Sequence, residues 1–99
     1  MSKFEIEIDF SNVDLASLET EDDFQREAKH LLPKALVQLG ERVGEKTWEE
    51  LQKGMKGQQS QKRKFIQETG RTYQRNASSR ERQELEDYII EQLRQYKRR

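Results

Sequence analysis

The sequence predicts a mainly helical α+β fold, with one N-terminal strand, two to three helices and room for a short hairpin. Three observations support this fold class. Apolar and acidic residues alternate over residues 4–10, and apolar residues recur at helical spacing over residues 24–51 and 85–96. The chain has 99 residues, of which 31% are hydrophobic and 38% charged, so we expect one small domain with a thin core.

Residues 4–10 have the pattern of an amphipathic strand. Phenylalanine and isoleucine occupy the even positions, and glutamate and aspartate occupy the odd ones. A period of two places the apolar side chains on one face and the carboxylates on the other. Because a lone strand leaves its backbone groups unpaired, we expect it to pair with another strand.

The central region predicts two helices, near residues 21–31 and 33–53. Thr20 is expected to cap the first helix, because the three acids that follow it favour the positive end of the helix dipole. Proline inside a helix removes a hydrogen bond and clashes with the preceding turn, so either one helix kinks at Pro33 or a short helix ends near His30 and a second begins with Pro33. We favour two helices.

Gly40 and Gly44 lie four residues apart within that second helix. Each glycine costs about 1 kcal/mol relative to alanine in a helix interior. Two explanations remain open. Either the helix breaks near these residues, or their missing side chains let another backbone pack closely.

A basic linker or loop is predicted over residues 54–77, because its first part contains almost no apolar side chains. Short strands at 64–68 and 71–74 would form a hairpin around Thr69 and Gly70. A helical turn and an irregular loop are the alternatives there.

The last part of the chain, residues 78–99, predicts an amphipathic helix over 79–96. Ser78 and Glu81 match the spacing of a capping box, and apolar residues follow at helical intervals. The single domain is thus expected to consist of an acidic strand segment, central helices, a basic linker and this helix, with bounds 1–23, 24–53, 54–77 and 78–99. The expected core residues are Phe4, Ile6, Ile8, Phe24, Leu32, Leu36, Leu39, Val43, Trp48, Leu51, Leu85, Ile89 and Leu93.

The composition excludes several kinds of site. The chain has no cysteine and one histidine, His30, so it has no thiolate zinc site, thiol nucleophile or multi-histidine metal site. It also lacks a glycine-rich phosphate loop and a nucleophile elbow. We therefore expect no enzymatic activity, no cofactor and no metal. No apolar run approaches the ~20 residues of a membrane span and no secretory signal is recognised, which predicts a cytoplasmic protein without membrane contact.

Charge is unevenly distributed although the formal net charge is zero. Residues 1–23 carry one base against eight acids, whereas residues 51–99 carry thirteen bases against six acids. Such asymmetry indicates contact with nucleic acid or with an acidic surface. The alternative is that the two ends neutralise each other, within one chain or across a dimer.

The first functional expectation is a protein–protein interaction or assembly module, whose partner is another protein or a second copy of the chain. The unpaired strand, the thin core and the complementary charged ends favour this function, and a homodimer is its simplest form. The composition, rich in Glu, Gln, Lys and Arg, is typical of small phage and mobile-element proteins. The expected interface residues are Phe4, Ile6, Ile8, Tyr88 and Tyr96.

The alternative expectation is DNA or RNA binding through the basic segment 53–82. Cations in this segment would neutralise phosphates, and two aromatic side chains among them would stack on unpaired bases. The expected contact residues are Lys62, Arg63, Lys64, Phe65, Arg71, Tyr73 and Arg75.

Overall fold

The computed structural model describes residue 4 and residues 6–51 and 59–98, and within them all regular structure is helical. A short 3-10 turn, Leu15–Ser17, precedes three α-helices. These are α1 (Glu21–Leu51), α2 (Gln59–Asn76) and α3 (Ser79–Lys97). The described residues contain no strand, so the predicted α+β class is wrong.

The N-terminal segment forms no helix and no strand over residues 6–10 and belongs to no sheet in the described chain. Its aromatic rings pack on α3 instead. The Phe4 ring stacks on Tyr88 with 5.2 Å between ring centres, and Phe10 lies 5.4 Å from Tyr96. The period of two was a correct guide to burial, because Ile6 and Ile8 are half-buried while Glu7 and Asp9 are exposed. It was wrong about the element, because a helix supplies the apolar surface that a partner strand was expected to supply.

Helix α1 begins at a reciprocal cap. The backbone N–H of Asp23 donates to Thr20 Oγ1 at 3.2 Å, and Asp23 Oδ2 accepts from the backbone N–H groups of Thr20 and Glu19 at 2.9 and 3.0 Å. Thr20 is therefore confirmed as the capping residue. These hydrogen bonds, with that of Thr20 first, hold the pKa of the Asp23 carboxyl below its ordinary value.

Helix α1 continues through Pro33, so the prediction of two helices with a boundary there is wrong. Proline in a helix interior costs about 3 kcal/mol, and packing on both sides of it offsets that cost here. Pro33 itself is exposed, whereas Leu32, Ala35 and Leu36 in the adjoining turns of the same helix are buried. The described part of α1 ends at Leu51, and residues 52 and 53 of the predicted helix lie outside the described residues.

Helix α2 occupies the region predicted to be a linker followed by a hairpin or loop, so both of those predictions are wrong for residues 59–76. Residues 54–58 of the predicted linker lie outside the described residues. Gly70 was interpreted as a turn residue, yet it is a buried helical residue. A Cβ atom at Gly70 would lie 2.8 Å from Glu41 Cγ and 2.9 Å from the Val37 carbonyl oxygen, so close packing rather than a turn requires glycine here.

Helix α3 is confirmed, together with its capping box. The backbone N–H of Glu81 donates to Ser78 Oγ at 3.1 Å, and the Ser78 hydroxyl donates to Glu81 Oε1 at 3.2 Å. The helix buries one apolar stripe, formed by Leu85, Ile89, Ile90 and Leu93.

The chain divides into two compact units that share α1. Unit 1 contains the N-terminal segment, α1 up to Ala35, and the chain from Ser78 onward. Unit 2, Leu36–Ala77, contains the rest of α1 and α2. The prediction of one domain stays a prediction.

Within unit 2 the two helices run antiparallel and nearly touch. Neighbouring residues follow opposite orders along the helices, Gly40 with Gly70, Gly44 with Ile66, and Trp48 with Phe65. A Cβ atom at Gly40 would lie 2.6 Å from the Cα atom of Gly70. Of the two explanations for Gly40 and Gly44, close helix packing is therefore correct, and α1 does not break at these residues.

Six of the thirteen expected core residues are buried, namely Phe24, Leu32, Leu36, Leu85, Ile89 and Leu93. Five others are half-buried, namely Phe4, Ile6, Ile8, Leu39 and Trp48. The prediction was wrong for Val43 and Leu51, which are 46% and 60% exposed. Val43 lies about 60–100° around α1 from the two glycines that α2 covers, whereas Leu51 lies on their side but at the end of the described part of α1. The core also contains residues that the sequence reading did not include: Phe10, Leu18, Ala28, Ala35 and Ile90.

Candidate functional site

A groove of about 440 Å³ lies in unit 1 between the N-terminal segment and α3, and we call it the N-terminal groove. One wall is the N-terminal segment and the other is a single face of α3. The lining residues are Ile6, Glu7, Ile8 and Phe10 from the segment, and Tyr88, Gln92, Gln95 and Tyr96 from α3.

The backbone of residues 6–8 borders this groove. No hydrogen bond joins Ile6, Glu7 or Ile8 to another described residue. Backbone pairing between described residues starts beyond them, where the Val13 N–H donates to the Phe10 carbonyl at 3.0 Å. Backbone N–H and C=O groups without a partner are a template for pairing with another chain.

The solvent side of the segment is acidic. Glu7 and Asp9 are exposed, and the Ser11 backbone N–H donates to Asp9 Oδ1 at 2.9 Å. The pKa of the Asp9 carboxyl lies below its ordinary value, first because the Ser11 side chain hydrogen-bonds to it and then because the Ser11 backbone amide does. Asp9 is therefore ionised at neutral pH.

All five predicted interface residues lie in unit 1, on the segment and on α3. They pack largely on one another, as the stacked rings of Phe4 and Tyr88 show. Tyr96 is the most accessible of them, with 39% of its surface exposed. The sequence reading missed Gln92 and Gln95, although their spacing from Tyr88 places all three on one helical face, which is the signal that could have found them.

The far end of the segment is fixed to α3 by cations. Arg94 forms an ion pair with Glu21, and Lys97 Nζ donates to the Leu18 carbonyl. Both cationic groups lie 5.9 Å from the centre of the Phe24 ring. These two basic residues of α3 are thus engaged within the chain.

Helix α2 carries a second surface, which we call the basic face and define as Lys64, Arg71 and Arg75. Spacings of seven and four residues place all three within about 40° of one another around the helix axis. All three are exposed. None of them forms an ion pair or hydrogen bond with another described residue.

The remaining predicted contact residues of α2 lie elsewhere around the helix. Lys62 is half-buried and, with Arg63, borders a shallow depression beside Glu41. The Phe65 ring packs 5.5 Å from the Trp48 ring, and the Tyr73 Cβ atom lies against Gly40. The two aromatic side chains are therefore half-buried against α1, and Tyr73 is about 180° away from the basic face.

The described residues contain no group of three or more acidic, histidine or cysteine side chains that is placed to hold a metal ion. None of the described helices is long and apolar enough to cross a membrane. The predicted cytoplasmic location stays a prediction. Comparisons with known protein families, with curated proteins and with solved structures each found no match for this chain.

Proposed function

We propose that this protein is an interaction module that binds an extended segment of a partner protein in the N-terminal groove. The observation that carries this proposal is the backbone of residues 6–8, which is in no helix or strand, has no hydrogen-bond partner among the described residues and borders a groove. An extended ligand added beside such a segment gains main-chain hydrogen bonds, as in strand addition to a sheet edge.

The segment is held ready for such a ligand. Ring contacts fix it on α3 at both ends, Phe4 on Tyr88 and Phe10 on Tyr96. A binding element that is already ordered loses less conformational entropy when the ligand arrives. Gln92 and Gln95 on the opposite wall add amide donors and acceptors for the ligand backbone.

The charge of the segment indicates the chemistry of the partner. A strand that carries Lys or Arg at alternate positions would place cations opposite Glu7 and Asp9, and opposite charges across a strand pair are stabilising. Two copies of the segment paired with each other would place acids against acids, which is destabilising. This site therefore favours a basic segment of another protein over a second copy of the chain.

Fluorescence anisotropy with a labelled peptide that alternates Lys and Val tests the proposal. We expect this peptide to bind the full chain, and a peptide that alternates Glu and Val not to bind. A Lys/Val peptide with a central proline should bind weakly, because proline cannot donate a backbone hydrogen bond. The amides of residues 6–8 should exchange more slowly with solvent when the Lys/Val peptide is bound.

Glu7→Lys should weaken binding of the Lys/Val peptide by roughly 2- to 10-fold, because an attraction across the strand pair becomes a repulsion. Glu49→Lys is the matched control, since Glu49 is exposed in unit 2 and its replacement changes the net charge equally. Equal effects of the two substitutions, or binding without protection of the amides of residues 6–8, would contradict strand addition at this groove.

A further inference from the structure

We infer that the basic face of α2 is a separate site, which binds the phosphate backbone of duplex nucleic acid without reading its bases. This inference concerns unit 2 and goes beyond the protein-binding function proposed for the groove in unit 1.

The cations of α2 form no ion pair or hydrogen bond with another described residue. Residues 59–76 contain five basic residues and one carboxylate, Glu68. Cations on the other helices do form ion pairs, with Arg42 4.0 Å from Glu45 and Arg80 3.2 Å from Glu84. A row with an excess of cations over carboxylates is the electrostatic feature that a polyanion recognises.

The row formed by Lys64, Arg71 and Arg75 extends along the axis of α2. Lys64 and Arg71 are about 10 Å apart along the helix axis, and Arg75 lies about 6 Å further on. A duplex carries one phosphate for about every 3.4 Å of each strand, so this row spans several phosphates. Long side chains on a helix can therefore contact a backbone strand at several points at once.

The row is held rigidly, because α2 is packed against α1. The close approach at Gly40, Gly44 and Gly70 fixes α2 against α1, and Phe65 packs on Trp48. The cations thus lie on a packed helix rather than on a loop that binding would have to order.

The same packing determines the mode of binding. Single-strand binding proteins stack bases on exposed aromatic side chains, but Phe65 and Tyr73 are half-buried on the side of α2 that faces α1. The basic face itself carries no aromatic residue. Binding should therefore be independent of base sequence and show no preference for single strands.

A salt titration of labelled duplex DNA with the full chain tests the inference. Three phosphate contacts predict a slope of about −2.7 in a plot of log affinity against log salt, or roughly 40-fold weaker binding at about 200 mM than at about 50 mM salt. The triple variant Lys64→Gln, Arg71→Gln, Arg75→Gln should lose this binding. Glu68→Gln should strengthen it, because Glu68 lies in the same row and repels phosphate.

The matched control is the triple variant Arg26→Gln, Lys29→Gln, Arg80→Gln, which removes the same charge from exposed positions in unit 1. It should bind duplex nearly as well as the native chain does. Circular dichroism and binding of the Lys/Val peptide show whether each variant is folded.

Three outcomes would overturn the inference. Equal weakening by both triple variants would mean that net charge alone attracts the duplex. Tighter binding of polyglutamate than of duplex would mean that the face recognises an acidic protein segment. A preference for single strands that Tyr73→Leu abolishes would mean that bases do stack on α2.

Discussion

Gly40 lies where α1 and α2 approach most closely, and its lack of a side chain permits that approach. A Cβ atom there would lie 2.5 Å from the Tyr73 Cβ atom and 2.9 Å from the Gly70 carbonyl oxygen. The Gly70 carbonyl oxygen belongs to the backbone, and the Tyr73 Cβ atom is attached directly to it. Neither atom can move aside as the end of a flexible side chain would. The glycine is therefore a packing requirement even though it weakens the helix locally.

Gly40→Ala should destabilise the protein although alanine is the better helix former by about 1 kcal/mol. We expect a loss of roughly 1–3 kcal/mol in the free energy of unfolding, measured with urea, because the added methyl group overpacks the interface. Gly44→Ala is the graded control, since its Cβ atom would lie 3.1 Å from Thr69 Cβ and 3.2 Å from Ile66 Cα. A Gly40→Ala variant more stable than the native chain would contradict the close packing.

Asp23 provides a prediction of pH dependence at the start of α1. Its carboxylate accepts two backbone hydrogen bonds, and its pKa is lowered below 3.8 by folding. A depressed carboxyl pKa contributes stability above the ordinary value and loses it as the pH falls through the folded value. Asp23→Ala should therefore lower the melting temperature at pH 7, and the difference from the native chain should shrink as the pH falls below about 4.

Asp22→Ala is the control for this prediction, because Asp22 lies in the same first turn but accepts no hydrogen bond from another described residue. It should show the smaller effect at pH 7. A difference for Asp23→Ala that is constant from pH 7 to pH 2 would contradict the capping role of the carboxylate.

At the scale of whole elements, α1 shows how packing can override a local signal. Pro33 predicts a helix boundary by its own chemistry, but buried residues on either side of it share one face of an unbroken helix. The folded protein therefore contains a proline that destabilises its helix.

Replacing that residue, Pro33→Ala, should raise the free energy of unfolding by about 2 kcal/mol. Restoring the backbone N–H and removing the clash should stabilise the helix by about 3 kcal/mol. The unfolded chain gains conformational freedom when proline is replaced, which lowers the free energy of unfolding by up to about 1 kcal/mol. Pro33 is an exposed residue. Thermal unfolding measures the effect, with Lys34→Ala as the neighbouring exposed control. A lower melting temperature for Pro33→Ala would mean that the proline has a structural role of its own.

The elements differ in how far the sequence could predict them. Helix α3 was predictable because its cap and its apolar stripe agree. Helix α2 was not, because Thr69 and Gly70 indicate a turn, whereas Gly70 packs closely against Gly40 in a helix. The helical signal was present in Phe65, Thr69 and Tyr73, which follow one another at intervals of four residues.

The wrong prediction for residues 59–76 also affected the candidate sites. In a loop, the basic and aromatic residues of segment 53–82 would have formed one cluster. In a helix, adjacent residues diverge by about 100°, which puts Lys64 and Tyr73 on opposite sides. The helix therefore places the two groups on different sides of α2. The cations face solvent, whereas the aromatic residues pack α2 against α1.

At the scale of the whole molecule, the charge asymmetry is only partly neutralised within the chain. Arg94 pairs with Glu21 in unit 1, whereas the cations of α2 remain unpaired with described residues. The homodimer expected from the thin core stays a prediction, which sedimentation velocity across micromolar concentrations would check. The proposed groove offers no reason for it, because acids would oppose acids there.

The way α1 is shared between the units predicts how the molecule unfolds. Its first half contributes buried residues to unit 1, and its second half forms unit 2 with α2. Helix α1 is continuous and belongs to both units. We therefore expect one cooperative transition in which both units unfold together.

Ile89→Ala tests this coupling, because Ile89 is fully buried in unit 1 while the single tryptophan, Trp48, lies in unit 2. The cavity should cost roughly 2–5 kcal/mol. We expect the unfolding curve followed by Trp48 fluorescence to shift by the same amount as the curve followed by circular dichroism, since the damage in unit 1 must reach unit 2. A Trp48 transition that stays at its native midpoint while the dichroism curve splits would mean that the units unfold independently despite their common helix.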